Sequence, residues 1–361
     1  MYLENINIKN FRNIENEILF PSKNINIILG KNAQGKTNFL ETVYVTANLK
    51  SFRGKKLSEV INKNKNKCTV EIKINKNKVE NELIIEIENN KKNVLLNKKK
   101  TDRILETLGY LDTVLFYPDD IIIVKGSPLL RRNLIDRAIF QSDNNYLNLF
   151  QQYLHCLKQR NAALKENNSV ADLWDGQFSV LATRVIFYRV SYINRINSIF
   201  EKIFKKIYRC DEKVEIKYPF SEYNKTELKN IFYKNLLKNR EKERLYGITL
   251  IGPHRDDPVF LLNGQPLSLY GSQGQQRSFM LAFKTAQIID YKECRGIHPV
   301  LLLDDMTSEL DQDRKEYFFD FLLNQAGQVF ITSTDFKLQK NRQFLDAKVF
   351  KVENGKIGEY N

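Results

Sequence analysis

NINIILGKNAQGKT, residues 24–37, decides the fold. Ile25, Ile27, Ile28 and Leu29 form an apolar run of strand length that feeds straight into Gly30. GKNAQGKT at 30–37 follows the pattern G-x-x-x-x-G-K-[ST], and helical spacing sets in from Lys36 to about Ala47. Gly30 and Gly35 let the backbone turn with its N–H groups inward, and the start of the helix adds a positive dipole. That arrangement suits the phosphates of a nucleotide. Lys31, Asn32, Ala33, Gln34 and Asn38 complete the expected binding segment. Lys36 is expected to reach the β and γ phosphates, and the Thr37 hydroxyl to ligate Mg²⁺.

The second half of the expected site lies far downstream. PVLLLDD at 299–305 is a buried strand ending in two carboxylates. Asp304 is expected to hold Mg²⁺ through a water, and Asp305 to face the γ-phosphate and polarise the attacking water. An acidic strand end is common by itself. Its pairing with the phosphate loop makes Lys36, Asp304 and Asp305 the expected catalytic set, with Thr37 and Asp304 on the metal.

Working outward, residues 68–97 read as a strand meander with Asn/Lys turns, and 113–124 as a further strand-like stretch. From Leu129 to about Lys165, and again from Leu173 to Tyr208, the spacing is helical. At ~1.5 Å per residue the second stretch would extend about 50 Å. Strand texture returns at 247, where ITLIGPHRDDPVFLLNG reads as a hairpin-like pair. A helix at 272–291, the strand VLLL at 300–303, a helix at about 312–324, VFITS at 329–333 and KVFKVENGKI at 348–357 follow. This order predicts an α/β protein with a largely parallel sheet, interrupted by a largely helical second lobe. The expected domains are 1–118 and 247–361 for the α/β lobe and 119–246 for the helical lobe.

Other motifs separate one nucleotide-binding class from another. YGSQGQQR at 270–277 opens a helix just upstream of the acidic strand and resembles the signature of ABC ATPases. Ser272, Gln273, Gly274 and Gln275 occupy the matching places. SELD at 308–311 resembles the D-loop of that superfamily, and ITSTD at 331–335 sits where it has its switch strand. Together with LENINIKNFRN at the start, FYPDDIIIVKGSPLLRRNLIDRAI at 116–139 and GPHRDDPVF at 252–260, these stretches resemble the RecF family, in the SMC-like branch of ABC ATPases.

The resemblance implies an ABC/SMC-like ATPase head that binds ATP and Mg²⁺. It implies an ATP-dependent homodimer in which Ser272 and Gly274 of one copy contact the γ-phosphate held by the other. It further implies DNA binding near single-strand gaps, partnership with RecO and RecR in recombinational repair, and slow hydrolysis that releases the dimer. Three departures bear on hydrolysis. Asp305 stands where most ABC cassettes have Glu, the switch strand shows Thr332 and Thr334 but no histidine, and no glutamine marks a Q-loop, for which Pro118–Asp120 is the nearest stand-in. Arg53 in SFRGKK is read either as a nucleotide contact or as part of a solvated basic loop. Arg131 and Arg132 are read as DNA contacts or as a charged helix start packed on the other lobe.

Composition agrees with a polyanionic partner without proving one. The net charge is +14, yet the chain is Lys- and Asn-rich throughout, as in INKNKNK at 61–67. No apolar run nears the roughly 18 residues of a membrane span. Four scattered cysteines and three scattered histidines argue against zinc and for reduced thiols in a cytoplasmic protein. Competing readings are a transporter ATPase subunit, a small-molecule kinase and a longer SMC-type tether. The large helical insert, the signature and the lack of a long heptad run respectively count against them.

Overall fold

The computed structural model describes all residues except 55, 90, 102–106, 167–169, 209–210, 307–314, 316–317, 322–323, 325–326, 337–343 and 361. The chain divides into two units, Met1–Pro118 with Tyr291–Asn361, and Asp119–Asp290. The N-terminal part of the first unit runs β1 (Tyr2–Phe11), β2 (Ile14–Leu19), β3 (Ile25–Leu29), α1 (Lys36–Asn48), β4 (Lys67–Lys76), β5 (Val79–Glu88), β6 (Lys91–Leu96), β7 (Lys99–Lys100) and β8 (Thr113–Phe116). The second unit carries α2 (Ile121–Lys125), α3 (Pro128–Ser142), α4 (Asn144–Lys165), α5 (Val170–Tyr208), β9 (Val214–Lys217), α6 (Lys225–Tyr246), β10 (Val259–Leu262), β11 (Gln265–Pro266) and α7 (Leu267–Tyr270). Helix α8 (Gln273–Arg295) leads back to the first unit, which closes with β12 (Val300–Leu303), β13 (Val329–Ser333), β14 (Lys348–Glu353) and β15 (Lys356–Glu359).

The first unit holds two six-stranded sheets. One is antiparallel, in the order β2-β1-β4-β5-β6-β7. Its period-two pattern buries Cys68, Val70, Ile72 and Ile74 of β4 opposite Ile87, Ile85, Leu83 and Asn81 of β5. Phe39, Leu40 and Val43 of α1 belong to the same core. Truncating a fully buried member such as Ile72 to alanine costs about 2–5 kcal/mol. Two-residue turns at Asn77–Lys78 and Asn97–Lys98 close its hairpins with φ positive at both residues, the conformation whose twist matches the strands.

The other sheet has the order β15-β14-β3-β13-β12-β8. Its strands β14, β3, β13, β12 and β8 are parallel, and β15 is antiparallel at the edge. Every residue of β8, β12 and β13 is buried, as for strands covered on both faces. Fully buried Gln328 links the two sheets. Its Oε1 accepts from Leu3 N at 2.7 Å, and its Nε2 donates to Leu3 O and Ser22 O.

The second unit is mostly helical, and α5 alone has 39 residues, about 58 Å of helix. Two buried arginines organise it. Arg189 makes a bidentate pair with Asp136, at 2.7 and 2.8 Å, and donates to Tyr218 and to Pro253 O. Arg160 joins Asp175, Glu243 and Thr249. No helix among the described residues is long and apolar enough to cross a membrane.

Three expectations change. The stretch 113–124 is a strand only over Thr113–Phe116; Pro118–Asp120 is a 3₁₀ turn and Ile121–Lys125 a helix. Pro118 ends the strand, and a short apolar run does not by itself distinguish strand from helix. ITLI at 248–251 is no strand, and Val259–Leu262 pairs with Val214–Lys217 and Gln265–Pro266. That pairing ties 259–266 to the helical unit, so the second boundary falls at Asp290 where 247 was expected. The helix expected at 312–324 falls mostly, and the D-loop at 308–311 wholly, outside the described residues.

Candidate nucleotide site

The site grows from the carboxyl ends of the parallel strands, where this sheet type gathers ligands. β3 ends at Leu29 and enters the glycine loop. Gly30 donates to Ser333 O at 3.3 Å, and a side chain there would come 2.5 Å from Val352 O. Ala33 and Gly35 both have positive φ, 63° and 120°. Gly35 caps α1 without a side chain, so the first-turn N–H groups meet no side-chain acceptor. Lys31, Asn32 and Ala33 are exposed.

Lys36 is buried, and its Nζ donates to Gly30 O at 2.8 Å and Lys31 O at 2.9 Å. The ammonium is therefore drawn into the loop it belongs to. Burial lowers its pKa, opposed by the charges of Asp305 and Asp304.

β12 lies two strands from β3, with β13 between them. Thr37 nonetheless reaches the end of β12. Its hydroxyl lies 3.0 and 2.9 Å from the two carboxylate oxygens of Asp304. Thr332, on the intervening strand, donates to Asp304 Oδ1 at 2.7 Å and accepts from Asp305 N at 2.9 Å. Burial raises the Asp304 pKa, and the hydroxyls of Thr332 and Thr37 act against it. Asp305 has φ of 47°. A left-handed turn immediately after Asp304 therefore sends the second carboxylate off the strand direction.

Hydroxyl and carboxylate are hard oxygen ligands. Thr37 and Asp304 thus fit Mg²⁺, which takes one or two protein ligands and completes its shell with phosphate and water. The glycine loop, the open helix start and Lys36 fit the phosphates.

Arg53 lies at this site. Its guanidinium donates to Asn38 Oδ1 at 2.7 Å, and its charge acts on Asp304. Its loop is held by Ser51, whose hydroxyl donates to buried Glu41, itself paired with Arg12. Sequence reasoning missed three anchors of the loop, Asn13, Asn354 and Gly355, described below.

The signature residues lie in the second unit, at the start of α8. Ser272 and Gln275 cap the helix reciprocally: Ser272 N donates to Gln275 Oε1 at 2.9 Å and Gln275 N to Ser272 Oγ at 3.2 Å. Gln275 Nε2 also donates to Glu212. Ser272 and Gln273 are exposed and Gly274 is half-buried. Of the Pro118–Asp120 stretch, Asp120 pairs with Lys284 of α8. Arg131 chelates Asp257 and Arg132 donates to Asp256 O at 2.6 Å, so both hold the GPHRDD segment.

The family model for the RecF/RecN/SMC N terminal domain matches residues 2–357. The DNA replication and repair protein RecF of Syntrophotalea carbinolica is 40% identical over 362 residues, covering all of both chains. The chain belongs to the RecF family. The RecF of Acetivibrio thermocellus is 39% identical, with 99% of each chain covered. Among solved structures, the recombination mediator protein RecF-ATP of the RecFOR pathway superposes with a TM-score of 0.91 at 30% identity. That match covers 100% of this chain and 98% of the other. An Smc head superposes at 0.58 with 16% identity, a likeness of fold. The ABC/SMC-like ATPase head expected from the motifs is the fold of this chain.

Proposed function

We propose that the chain is an ATP-dependent DNA-binding switch of recombinational repair. The convergence of Lys36, Thr37, Asp304 and Asp305 at the ends of β3 and β12 carries the nucleotide reading. Lys36 and the loop N–H groups hold the triphosphate, and Thr37 and Asp304 hold Mg²⁺, which offsets the phosphate charge. Asp305 orients water, and Thr332 fixes the Asp304 carboxylate and the backbone N–H of Asp305. Arg53, anchored on Asn38, adds a cation at the mouth of the site.

Two copies close with ATP between them, each offering Ser272 and Gly274 to the other's γ-phosphate. The exposed Ser272 and the helix start behind it support this. ATP then favours the closed dimer by linkage, and slow hydrolysis reopens it. The net charge of +14 supports phosphate-backbone contacts with DNA, and the relatives in the RecFOR pathway support RecO and RecR as partners. Gapped DNA as the target and the cytoplasm as the location rest on the family resemblance of the motifs.

Sedimentation with ATP, ADP and no nucleotide tests the dimer. The parent should dimerise with ATP, and Lys36→Ala should not; equal dimerisation by both would end the reading. Binding to gapped and intact duplexes across a salt series tests the DNA contact, which should weaken steeply with salt.

A further inference from the structure

The phosphate loop is held from outside by two turns at opposite ends of the sequence. The first joins β1 to β2. There Asn13 Nδ2 donates to Gln34 O at 2.9 Å, while its Oδ1 accepts from Asn38 Nδ2 at 2.7 Å. The second joins β14 to β15. Gly355 N donates to the same Gln34 O at 2.9 Å, and Asn354 N donates to Gln34 Oε1 at 2.7 Å. Gln34 is thus fixed at backbone and side chain by three donors.

Steric relations enforce the same arrangement. Gly35 has φ of 120°, and a Cβ there would lie 2.8 Å from Asn13 Oδ1. Gly355 has φ of 83°, and a Cβ there would lie 2.0 Å from Asn13 O. The two turns touch each other as well as the loop, with glycine at both close approaches.

The geometry of a phosphate cradle depends on which way its peptide planes face. A carbonyl turned inward would set a partial negative charge against phosphate, whereas the outward carbonyl leaves N–H groups for it. The Gln34 carbonyl faces Asn13 and Gly355 and is spent on them. We propose that Asn13 and the Asn354–Gly355 turn are positioning residues for nucleotide binding, holding the Gln34 peptide so that the loop is shaped for phosphate before the nucleotide arrives. None of them contacts the nucleotide itself. Asn13 also steadies Asn38, which in turn accepts from Arg53, so one amide serves both the loop and the arginine. This inference rests on the nucleotide reading above.

The test is ATP affinity, measured by calorimetry on the full chain with Mg²⁺, beside thermal melting without nucleotide. The parent and Lys36→Ala are measured first, and binding by the parent alone establishes the nucleotide site. Asn13→Ala, which removes the bonds to Gln34 and Asn38, should then weaken ATP binding about tenfold, with a smaller effect on nucleotide-free melting. Asn13→Asp keeps the size and the acceptor to Asn38 but, when ionised, cannot donate to Gln34 O. At neutral pH, above the ordinary carboxyl pKa of about 4, it should lose ATP affinity at least as far as Asn13→Ala does. Gly355→Ala, at the other turn, should weaken ATP in the same direction. If Asn13→Ala and Asn13→Asp bind ATP as the parent does while Lys36→Ala does not, the clamp falls and the nucleotide site stands. If the parent does not bind ATP, both fall.

Discussion

The hydroxyl of Thr37 sits within 3.0 Å of both carboxylate oxygens of Asp304, although 267 residues separate them. A hydroxyl that chelates a carboxylate in this way leaves two hard oxygens side by side at the foot of the phosphate loop. Thr37→Ala should therefore lose most of the gain in ATP affinity that Mg²⁺ provides. Calorimetric titrations with Mg²⁺ and with EDTA measure that gain, and a variant that retains the parent's gain would place the metal elsewhere.

Lys36 spends its donors on two carbonyls of its own loop, and its burial disfavours the charge. Replacing it by methionine should leave nucleotide-free stability within about 1 kcal/mol. ATP at a hundred times the parent's Kd should stabilise the parent by about 2.7 kcal/mol and the variant by almost nothing. Thermal melting with and without ATP reads both quantities. An equal shift in the two proteins would remove Lys36 from the site.

Arg189 and Asp136 form a fully enclosed ion pair in the helical unit. Arg189→Met strands the Asp136 carboxylate, which among the described residues keeps the Tyr146 hydroxyl as its donor. The expected loss is about 3–5 kcal/mol in urea denaturation. A loss below about 1 kcal/mol would show that the unit repacks around the change.

The GPHRDD segment carries two titrating groups with opposed effects. Burial lowers the His254 pKa to about 4 from 6.5, so its contribution to stability falls as pH drops from 6.5 to 4. Burial raises the Asp256 pKa to about 6 from 3.8, so its contribution falls as pH rises from 3.8 to 6, despite Tyr218, Arg189 and Arg132. In the parent the two slopes oppose each other between pH 4 and 6. Relative to the parent, Asp256→Asn should gain melting temperature as pH rises through that range, and His254→Asn should lose it. Parallel profiles for the parent and both variants would mean that neither group is perturbed.

The local parts of this architecture are legible in the sequence. An apolar strand running into Gly30, and another ending at Asp304, announce themselves within a dozen residues each, because strand pattern and loop chemistry are neighbours in the chain. What joins them is not legible. The stretch ITSTD marks Thr332 and Thr334 alike, and only the position of β13 between β3 and β12 shows that the Thr332 hydroxyl is the one that touches Asp304 and Asp305. Asn13 lies 21 residues before its partner Gln34, and Asn354 320 residues after it. Asn13 ends the stretch LENINIKNFRN and Asn354 lies in KVFKVENGKI, but neither stretch marks a contact with the phosphate loop. Three branched residues at Ile121–Ile123 favour extended backbone, whereas their position after the Pro118–Asp120 turn makes them helix. Arg131 and Arg132 were open to a DNA reading because charge is visible in sequence and its acceptors are not.

Strand order has a consequence for how the protein comes into being. β3 emerges among the first thirty residues, but its two neighbours, β13 and β14, are made some three hundred residues later. Until then the loop that follows β3 has no sheet on either side and no hairpin against Gln34. A growing polypeptide on the ribosome should thus gain its proposed capacity for ATP only once the closing hairpin has been translated and docked. Such long-range closure folds slowly. Fragments that stop short of the Asn354–Gly355 turn should then bind ATP poorly.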